Sequence, residues 1–216
     1  MKHSCHEMTL RELLDSLAQP TPTPGGGTAA ALAGALGAAL GTMVLRIAAK
    51  KSSTDLTPTI EALQRISEEF LTLADEDATA YEGVVAARKL PKGTPEEKAR
   101  RRSRIQEALQ DATRVPLRTA SKALELLGIL RDIQGEIGRD LLSDLLVAVR
   151  LAVACLHGAL NNVDINCSLV KDSEFLRFVA RRRQELIIQG AELSGGILAR
   201  EEEIKDWLGE EDSNLH

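Results

Sequence analysis

The sequence predicts an all-α protein, a single multihelical bundle of long helices around one central apolar helix. Of its 216 residues, 44% are hydrophobic but only 2% are aromatic. The core must therefore be built from Ala, Leu, Val and Ile, without the aromatic residues that sheets favour. Capping and proline signals divide the chain into long helical segments. With no internal repeat or long linker, we expect one domain over residues 1–216, with its core at about 8–195.

The first predicted helix is short and the second is rich in small residues. The first runs from about Thr9 to Ala18 and ends before the TPTP run, because each proline disfavours the α conformation in the residue before it. Three glycines, Gly25–Gly27, then lead into the second helix, which ends at about Lys50 and Lys51. Small residues that let a neighbouring backbone approach recur along it, at Ala30, Gly34, Gly37, Ala38 and Gly41.

The third and fourth predicted helices begin with recognisable caps. Thr57 as N-cap and Pro58 at the first helical position open the third helix, which runs to about Lys89. Thr94 and Glu97 form a capping box that starts the fourth.

The second half of the chain contains the most apolar helix. We expect Pro116 to kink or divide the fourth helix, and residues 128–138 to form a looser connection. From about Arg139 to Ile165 the sequence is rich in Leu, Val and Ala on all sides, which predicts a helix at the centre of the bundle. A last charged helix starts at about Ser173, and the acidic tail after it should be peripheral and frayed.

Charge and cysteine content exclude several classes of protein. The net charge of −5 repels polyanions, and the basic residues between 98 and 104 surround a helix without aromatic partners, so we expect no nucleic-acid partner. Three cysteines without CxxC spacing fit a reducing compartment. The N-terminus has no apolar stretch typical of a signal peptide. These features predict a cytoplasmic protein.

One uncharged segment is long enough to cross a bilayer. It extends from Gln19 to Leu45. Its helical part is mostly Ala and Gly, which partition weakly into lipid, and the sequence shows no second segment of this kind. We therefore expect a closely packed helix of the bundle and no membrane partner.

An aspartate lies within the apolar stripe of the third helix. The stripe follows helical spacing and comprises Phe70, Leu73, Ala74, Asp77, Ala78, Tyr81, Val84 and Val85. A carboxylate that faces a core needs a partner or takes up a proton, so its pKa is open to tuning for acid–base chemistry. Asp77 is therefore the catalytic candidate; a buried Asp that pairs with Arg or caps a neighbouring helix is an equally supported interpretation. Asp75, roughly 200° away around the axis, should be an ordinary surface residue.

Other polar residues are weaker candidates. The glycines of TPTPGGGT stand at a helix N-terminus, which favours anions, although a turn that only eases packing is the favoured interpretation of the motif by itself. Asp144, Asn162 and Asn166 interrupt the central apolar helix. They could bind a heterocycle, but satisfying one another or a helix end is commoner. His157 has no accompanying ligand pattern, so we predict no metal site.

The sequence resembles the cyclodeaminase/cyclohydrolase family over nearly its whole length. Three stretches carry the resemblance: LRELLDSLAQPTPTPGGGTAAALAGALGAALGTMV, LADEDATAYEGVVAARKLPKGTPEEK and SDLLVAVRLAVACLHGALNNVDIN. Their specific parts are PGGG with the small-residue helix that follows it, and LPKGTPEEK. The resemblance implies a compact helical subunit of a homodimer or larger oligomer that acts on tetrahydrofolate one-carbon units and needs no cofactor. The formiminotransferase domain of the bifunctional animal enzyme is absent from this sequence.

The resemblance also implies roles for particular residues. The family's cyclodeaminase aspartate falls on Asp77, and four further positions shared with the family are Lys92, Asp144, Asn162 and Asn166. His157 does not fall on a shared position. The substrate's glutamate tail, which can be polyglutamylated, needs cations or helix N-termini. The candidates for it are Lys50, Lys51 and Lys92, with the amides of Gly25, Gly26 and Gly27.

The implied reaction converts 5-formiminotetrahydrofolate to 5,10-methenyltetrahydrofolate and ammonia. An alternative is a cyclohydrolase that interconverts 5,10-methenyl- and 10-formyltetrahydrofolate through the same tetrahedral carbon. A third possibility, of another class, is a helical oligomer that binds folate without turnover. Sequence does not separate the first two, and Asp77, Lys92 and the three glycines argue against the third.

Overall fold

A computed structural model describes residues 4–204, and every regular element in that range is helical, which confirms the all-α prediction. The six α-helices of this range are α1 (Leu10–Leu17), α2 (Gly26–Ala48), α3 (Thr57–Arg88), α4 (Pro95–Ile133), α5 (Leu142–Cys167) and α6 (Ser173–Ala199). Short 3-10 turns cover Cys5–Glu7, Gln134–Glu136 and Arg139–Leu141. Most of the acidic tail expected to fray lies outside the described residues.

One of the two caps is confirmed and the other is wrong. At the start of α4 the Glu97 backbone N–H donates to Thr94 Oγ1 at 3.2 Å, and the Glu97 carboxylate accepts from the Thr94 N–H. In α3 the N-cap is Leu56, and Thr57 is already helical. The Thr57 N–H instead donates to Asp55 Oδ1 at 3.1 Å. The stronger acceptor two residues upstream satisfies the free amide, so the helix starts one residue earlier than predicted.

Helix α4 runs through Pro116 without a break, so the predicted division is wrong. Proline has no N–H, which leaves the carbonyl of the residue four positions earlier, Ala112, without its usual helical donor. The side-chain amide of Asn166 on α5 supplies one, with Nδ2 2.8 Å from the Ala112 oxygen. The helix also continues to Ile133, so only the last part of the expected loose connection, from residue 134, leaves the α-helical path.

The glycines of α2 allow close packing, mostly of side chains. A Cβ added at Gly34 would lie 2.6 Å from atoms of the Phe70 ring, and one at Gly37 would lie 3.0 Å from the carbonyl oxygen of Ala148. Only the second of these is a close approach of a neighbouring backbone. The fully buried Phe70 ring therefore occupies the space that the missing side chain of Gly34 leaves.

Helix α5 packs against α2, α4 and α6, which confirms its central position. One face of it nevertheless stays open, since Val147 is 47% and Ile165 is 63% exposed. Both α2 and the segment 139–167 are long and apolar enough to cross a membrane, so the expectation of a single such segment is wrong. Buried residues make up 61% and 44% of their apolar windows, and core helices of a bundle have similar hydropathy.

Candidate active site

A small cavity lies where α2 begins and where α3 and α5 approach their ends. Its volume is about 130 Å³. Its wall combines the turn before α2 with one face each of α3, α4 and α5. The lining residues are Pro22, Thr23, Gly25, Gly26, Gly27, Asp77, Tyr81, Val84, Arg88, Leu109, Ala112, Asn162, Asn166 and Leu169.

Asp77 is a half-buried acid in the wall of this cavity. Burial raises its pKa above the usual range of an aspartate, and hydrogen bonds from the backbone and side chain of Thr28 oppose that rise. The Thr28 hydroxyl lies 3.5 Å from Asp77 Oδ2 and 3.4 Å from the carbonyl oxygen of Ala74. Because desolvation is the largest cause, this carboxyl holds a proton more tightly than an exposed one.

The glycines before Thr28 explain how the acid reaches the end of α2. A Cβ at Gly27 would overlap the carboxylate of Asp77, and one at Gly26 would lie 3.7 Å from Asn162 Nδ2. Gly27 is therefore a close-approach position that only glycine fills without moving Asp77. The arrangement combines both interpretations of Asp77, since the carboxylate caps a neighbouring helix and also faces a cavity.

Asn162 and Asn166 lie one helical turn apart on α5 and both line the cavity. The Nδ2 group of Asn162 donates to the Gly158 oxygen at 2.8 Å, and that of Asn166 donates to the Ala112 oxygen at 2.8 Å. The NH₂ groups of both residues therefore donate to backbone carbonyl groups, which agrees with the commoner role predicted for such residues.

The lysines at the end of α2 do not reach this cavity. The 23 residues of α2 rise by about 34 Å, which places Lys50 and Lys51 at the opposite end of the bundle from Gly27. Lys51 pairs there with Asp140, with Nζ 3.4 Å from Oδ2. Within one chain, the length of α2 therefore separates these lysines from the three glycines with which the sequence analysis grouped them.

Two other candidates also lie apart from the cavity. Asp144 belongs to the first turn of α5, whereas the asparagines stand in its last two turns, so the helix separates them in the same way. Lys92 is exposed in the loop between α3 and α4 and is not among the lining residues. His157 is exposed on α5. Within residues 4–204, no three His, Cys, Asp or Glu side chains are grouped as metal ligands.

Two residues of α3 differ from expectation. Tyr81 is 37% exposed, because the stripe that begins in the core continues into the cavity wall. Asp75 is not an ordinary surface residue, since it accepts hydrogen bonds from the Ser4 hydroxyl and from the Cys5 N–H, the latter at 2.7 Å. It fastens the N-terminal segment onto α3, a contact between residues about 70 positions apart that local periodicity does not reveal.

Sequence reasoning missed Arg88 and Thr28. Arg88 is the cation among the lining residues, and it continues the spacing of Asp77, Tyr81 and Val84 by one further turn, so extending the stripe would have found it. Thr28 directly follows the three glycines and is fully buried. In the sequence, the available signal was a hydroxyl residue directly after the glycines at a predicted helix start, a position typical of side chains that form hydrogen bonds.

Comparison with known proteins identifies the family of the chain. The family model described as formiminotransferase-cyclodeaminase matches residues 9–185. The chain is 35% identical over 191 residues to a methenyltetrahydrofolate cyclohydrolase of Methylorubrum extorquens, covering 86% of this chain and 92% of that protein. It is 34% identical over 210 residues to the formimidoyltransferase-cyclodeaminase of Rattus norvegicus, covering 93% of this chain but only 39% of that longer protein.

A solved structure agrees with these relatives. The crystal structure of formiminotetrahydrofolate cyclodeaminase from Thermotoga maritima superposes with a TM-score of 0.77 at 28% identity, covering 89% of this chain and 94% of that one. The sequence comparison and the structure comparison therefore identify the same family over most of the chain. The chain belongs to the formiminotransferase-cyclodeaminase family, as the resemblance of its glycine-rich and LPKGTPEEK stretches implied.

Proposed function

We propose that this protein is a formiminotetrahydrofolate cyclodeaminase that acts in the cytoplasm without a metal or a cofactor beyond its folate substrate. The observation that carries the proposal is the position of Asp77, a half-buried acid with a raised pKa in the wall of a cavity at a helix N-terminus. A carboxyl with a raised pKa holds a proton more tightly than an exposed one, which suits a group that accepts and returns a proton during a reaction.

The reaction needs one group to move a proton between two nitrogens. N10 of the substrate attacks the formimino carbon and forms a tetrahedral centre that bears the former imine nitrogen as an amine. The Asp77 carboxylate takes the proton from N10 and then delivers it to that amine. The carbon–nitrogen bond to the amine breaks, ammonia leaves, and the 5,10-methenyl bridge carries the positive charge. No net proton is required when the formimino group starts as its conjugate acid.

Electrostatics support the same assignment. The ionised carboxylate of Asp77 stabilises a positive carbon centre beside it. The hydrogen bonds from Thr28 stabilise that anion and partly offset the cost of its burial. The same residue therefore serves as base, acid and counter-ion in turn.

The size of the cavity limits which part of the folate it encloses. Sites for ligands of this size usually have several hundred Å³, whereas this cavity has about 130 Å³. An adjoining cavity of about 470 Å³ shares the residue Thr23 with it. In the proposal the pterin end enters beside Asp77 while the aminobenzoylglutamate part extends outward, where Arg88 and then Lys92 are the cations for a glutamate or polyglutamate tail.

Methenyltetrahydrofolate cyclohydrolase is the second candidate activity. The relative from Methylorubrum extorquens that bears this name is matched over 92% of its length. In this reaction water adds to the methenyl carbon and Asp77 takes its proton. The bond from that carbon to N5 then breaks as N5 is protonated, which leaves 10-formyltetrahydrofolate and releases one proton overall.

A direct assay separates the candidates. The purified protein is incubated with 5-formiminotetrahydrofolate or with 5,10-methenyltetrahydrofolate while the absorbance of the methenyl group is followed. A cyclodeaminase raises this absorbance with the first substrate, and a cyclohydrolase removes it from the second faster than buffer does. Calorimetric binding of tetrahydrofolate without turnover of either substrate would support the non-catalytic folate-binding oligomer instead.

We also propose that the protein is a homodimer or a larger homo-oligomer. Helix α1 buries none of its residues, and its Leu10 and Leu14 are 72% and 55% exposed. On α2, Leu36 is 61% exposed. Large apolar side chains at helical spacing are typical of surfaces that associate. Sedimentation equilibrium tests this, and a monomer at micromolar concentration would contradict it.

A further inference from the structure

The two asparagines of the cavity have their amide orientation fixed by main-chain carbonyls. Asn162 Nδ2 lies 2.8 Å from the Gly158 oxygen, and Asn166 Nδ2 lies 2.8 Å from the Ala112 oxygen. A carbonyl oxygen only accepts hydrogen bonds, so in each case the NH₂ half of the amide must face it. The Oδ1 half of each amide is thereby turned the other way.

These two Oδ1 atoms remain available to a ligand. Within the range 4–204, neither accepts a hydrogen bond from another residue, and neither is enclosed as a buried atom without a partner. Both side chains line the cavity beside Asp77. The cavity therefore presents acceptor oxygens from three side chains.

Pro116 makes the orientation of Asn166 costly to reverse. The Ala112 carbonyl lost its helical donor to the proline ring, and turning the amide over would place two acceptor oxygens against each other. A buried carbonyl without a donor is unfavourable. The Oδ1 atom of Asn166, a residue that lines the cavity, is thus held away from the Ala112 carbonyl by a contact that spans 54 residues of sequence.

We propose that Asn162 and Asn166 are specificity-determining residues whose amide oxygens accept hydrogen bonds from the N–H edge of the substrate's pterin ring. This inference rests on the proposed folate function and adds to it the part of the ligand that is recognised. A reduced pterin carries N–H groups at the 2-amino substituent, N3 and N8. A ligand that offers only acceptors on this side leaves the two amide oxygens without partners, which weakens its binding.

The proline offers a way to separate binding from structural support. In Pro116→Ala a backbone N–H is restored four residues after Ala112, so the carbonyl no longer needs the side chain of Asn166. Asn166→Ala in that background removes the amide oxygen without leaving the carbonyl unsatisfied. The test compares the wild type with N166A, P116A and P116A/N166A by thermal unfolding and by calorimetric titration with tetrahydrofolate under anaerobic conditions.

We expect N166A alone to lower the melting temperature and P116A/N166A to recover the stability of P116A. We also expect P116A/N166A to bind tetrahydrofolate about three- to tenfold more weakly than P116A, as one lost hydrogen bond implies. In turnover the loss should fall on KM with kcat nearly unchanged. Equal affinity of P116A and P116A/N166A, or a loss confined to kcat, would overturn the proposal and leave Asn166 a purely structural residue.

Asn162→Ala is the second variant, with Asn161→Ala as its matched control. Gly158 belongs to the same helix as Asn162, so its carbonyl keeps a backbone donor and N162A should fold normally. Asn161 is exposed on the same turn, and N161A should bind as the wild type does. N162A should lose affinity about three- to tenfold, and an unchanged affinity would overturn the proposal for this residue. A wild-type protein that binds no reduced folate would refute the proposed function itself, which this design distinguishes.

Discussion

The two ends of the helical bundle place charged and polar groups in opposite surroundings. At the end where α2 begins, Asp77 is half-buried and meets a helix start, with amides around a cavity. At the end where α2 finishes, Lys51 and Asp140 pair at 3.4 Å with side chains that are 78% and 60% exposed. Water screens such an exposed pair, whereas a desolvated carboxylate keeps most of its electrostatic interaction.

The difference shows why polar residues that look alike in the sequence can differ in their importance for activity and stability. A charge at the exposed end is solvated and nearly free to change. At the cavity end the protein has already removed water from Asp77 and supplied specific partners. Substitutions should therefore have large effects at the cavity end and small effects at the exposed end.

The largest effect is expected for Asp77→Asn. Asparagine keeps the shape but can neither take nor return the proton, so kcat should fall roughly a thousandfold. Following the methenyl absorbance in single-turnover experiments measures it, with Asp140→Asn at the far end as the control that keeps its activity. A folded D77N enzyme with near wild-type turnover would remove Asp77 from catalysis.

A smaller but still large effect is expected for Gly27→Ala. The added Cβ overlaps the carboxylate of Asp77, so the acid must move and activity should fall about a hundredfold. The matched control is Gly128→Ala inside α4, where a Cβ meets no atom within 4 Å and should stabilise the helix by up to about 1 kcal/mol. Steady-state kinetics and chemical denaturation measure both variants. Full activity in G27A would show that the acid tolerates displacement.

The same acid should make stability depend on pH. The pKa of Asp77 is raised by burial, so the folded state binds this proton more tightly than the unfolded state does. The favourable contribution is complete at acidic pH and is lost as the pH rises through the raised pKa. D77N should therefore gain stability relative to the wild type as the pH increases. Urea denaturation across a pH series tests this, and a D77N protein that loses relative stability with rising pH would contradict it.

The smallest effect is expected at the far end. Replacing Lys50 and Lys51 together by alanine should leave KM within about twofold and shift the melting temperature by only about 1 °C, because exposed ion pairs contribute little. A clear rise in KM for a polyglutamylated substrate would show that these lysines serve a folate site after all, for example one completed by a second copy of the chain.

Local patterns predicted the elements that depend on local interactions. The Thr94 capping box and the stripe that singled out Asp77 involve residues a few positions apart, and the structure contains both. The length of a helix can also be calculated from the sequence alone. At a rise of about 1.5 Å per residue, the predicted second helix already places Lys50 far from Gly27. This calculation would have shown that Lys50 and Gly27 of one chain do not belong to the same site.

Contacts between distant segments could not be predicted in this way. That Pro116 leaves α4 intact depends on an amide from α5, 54 residues later. The binding of the N-terminal segment by Asp75 joins residues 70 positions apart. In both cases the partner is set by how the helices assemble, which periodicity within one helix does not encode.

The directions of the helices impose a polarity on the cavity. Helix α2 starts there with its free N–H groups, while α3 and α5 run toward it with their carbonyl ends. Each helix start carries about half a positive elementary charge and each helix end about half a negative one. A ligand inside therefore experiences a directed electric field, and a nitrile group introduced beside the cavity should report it as a shift of its infrared stretching frequency.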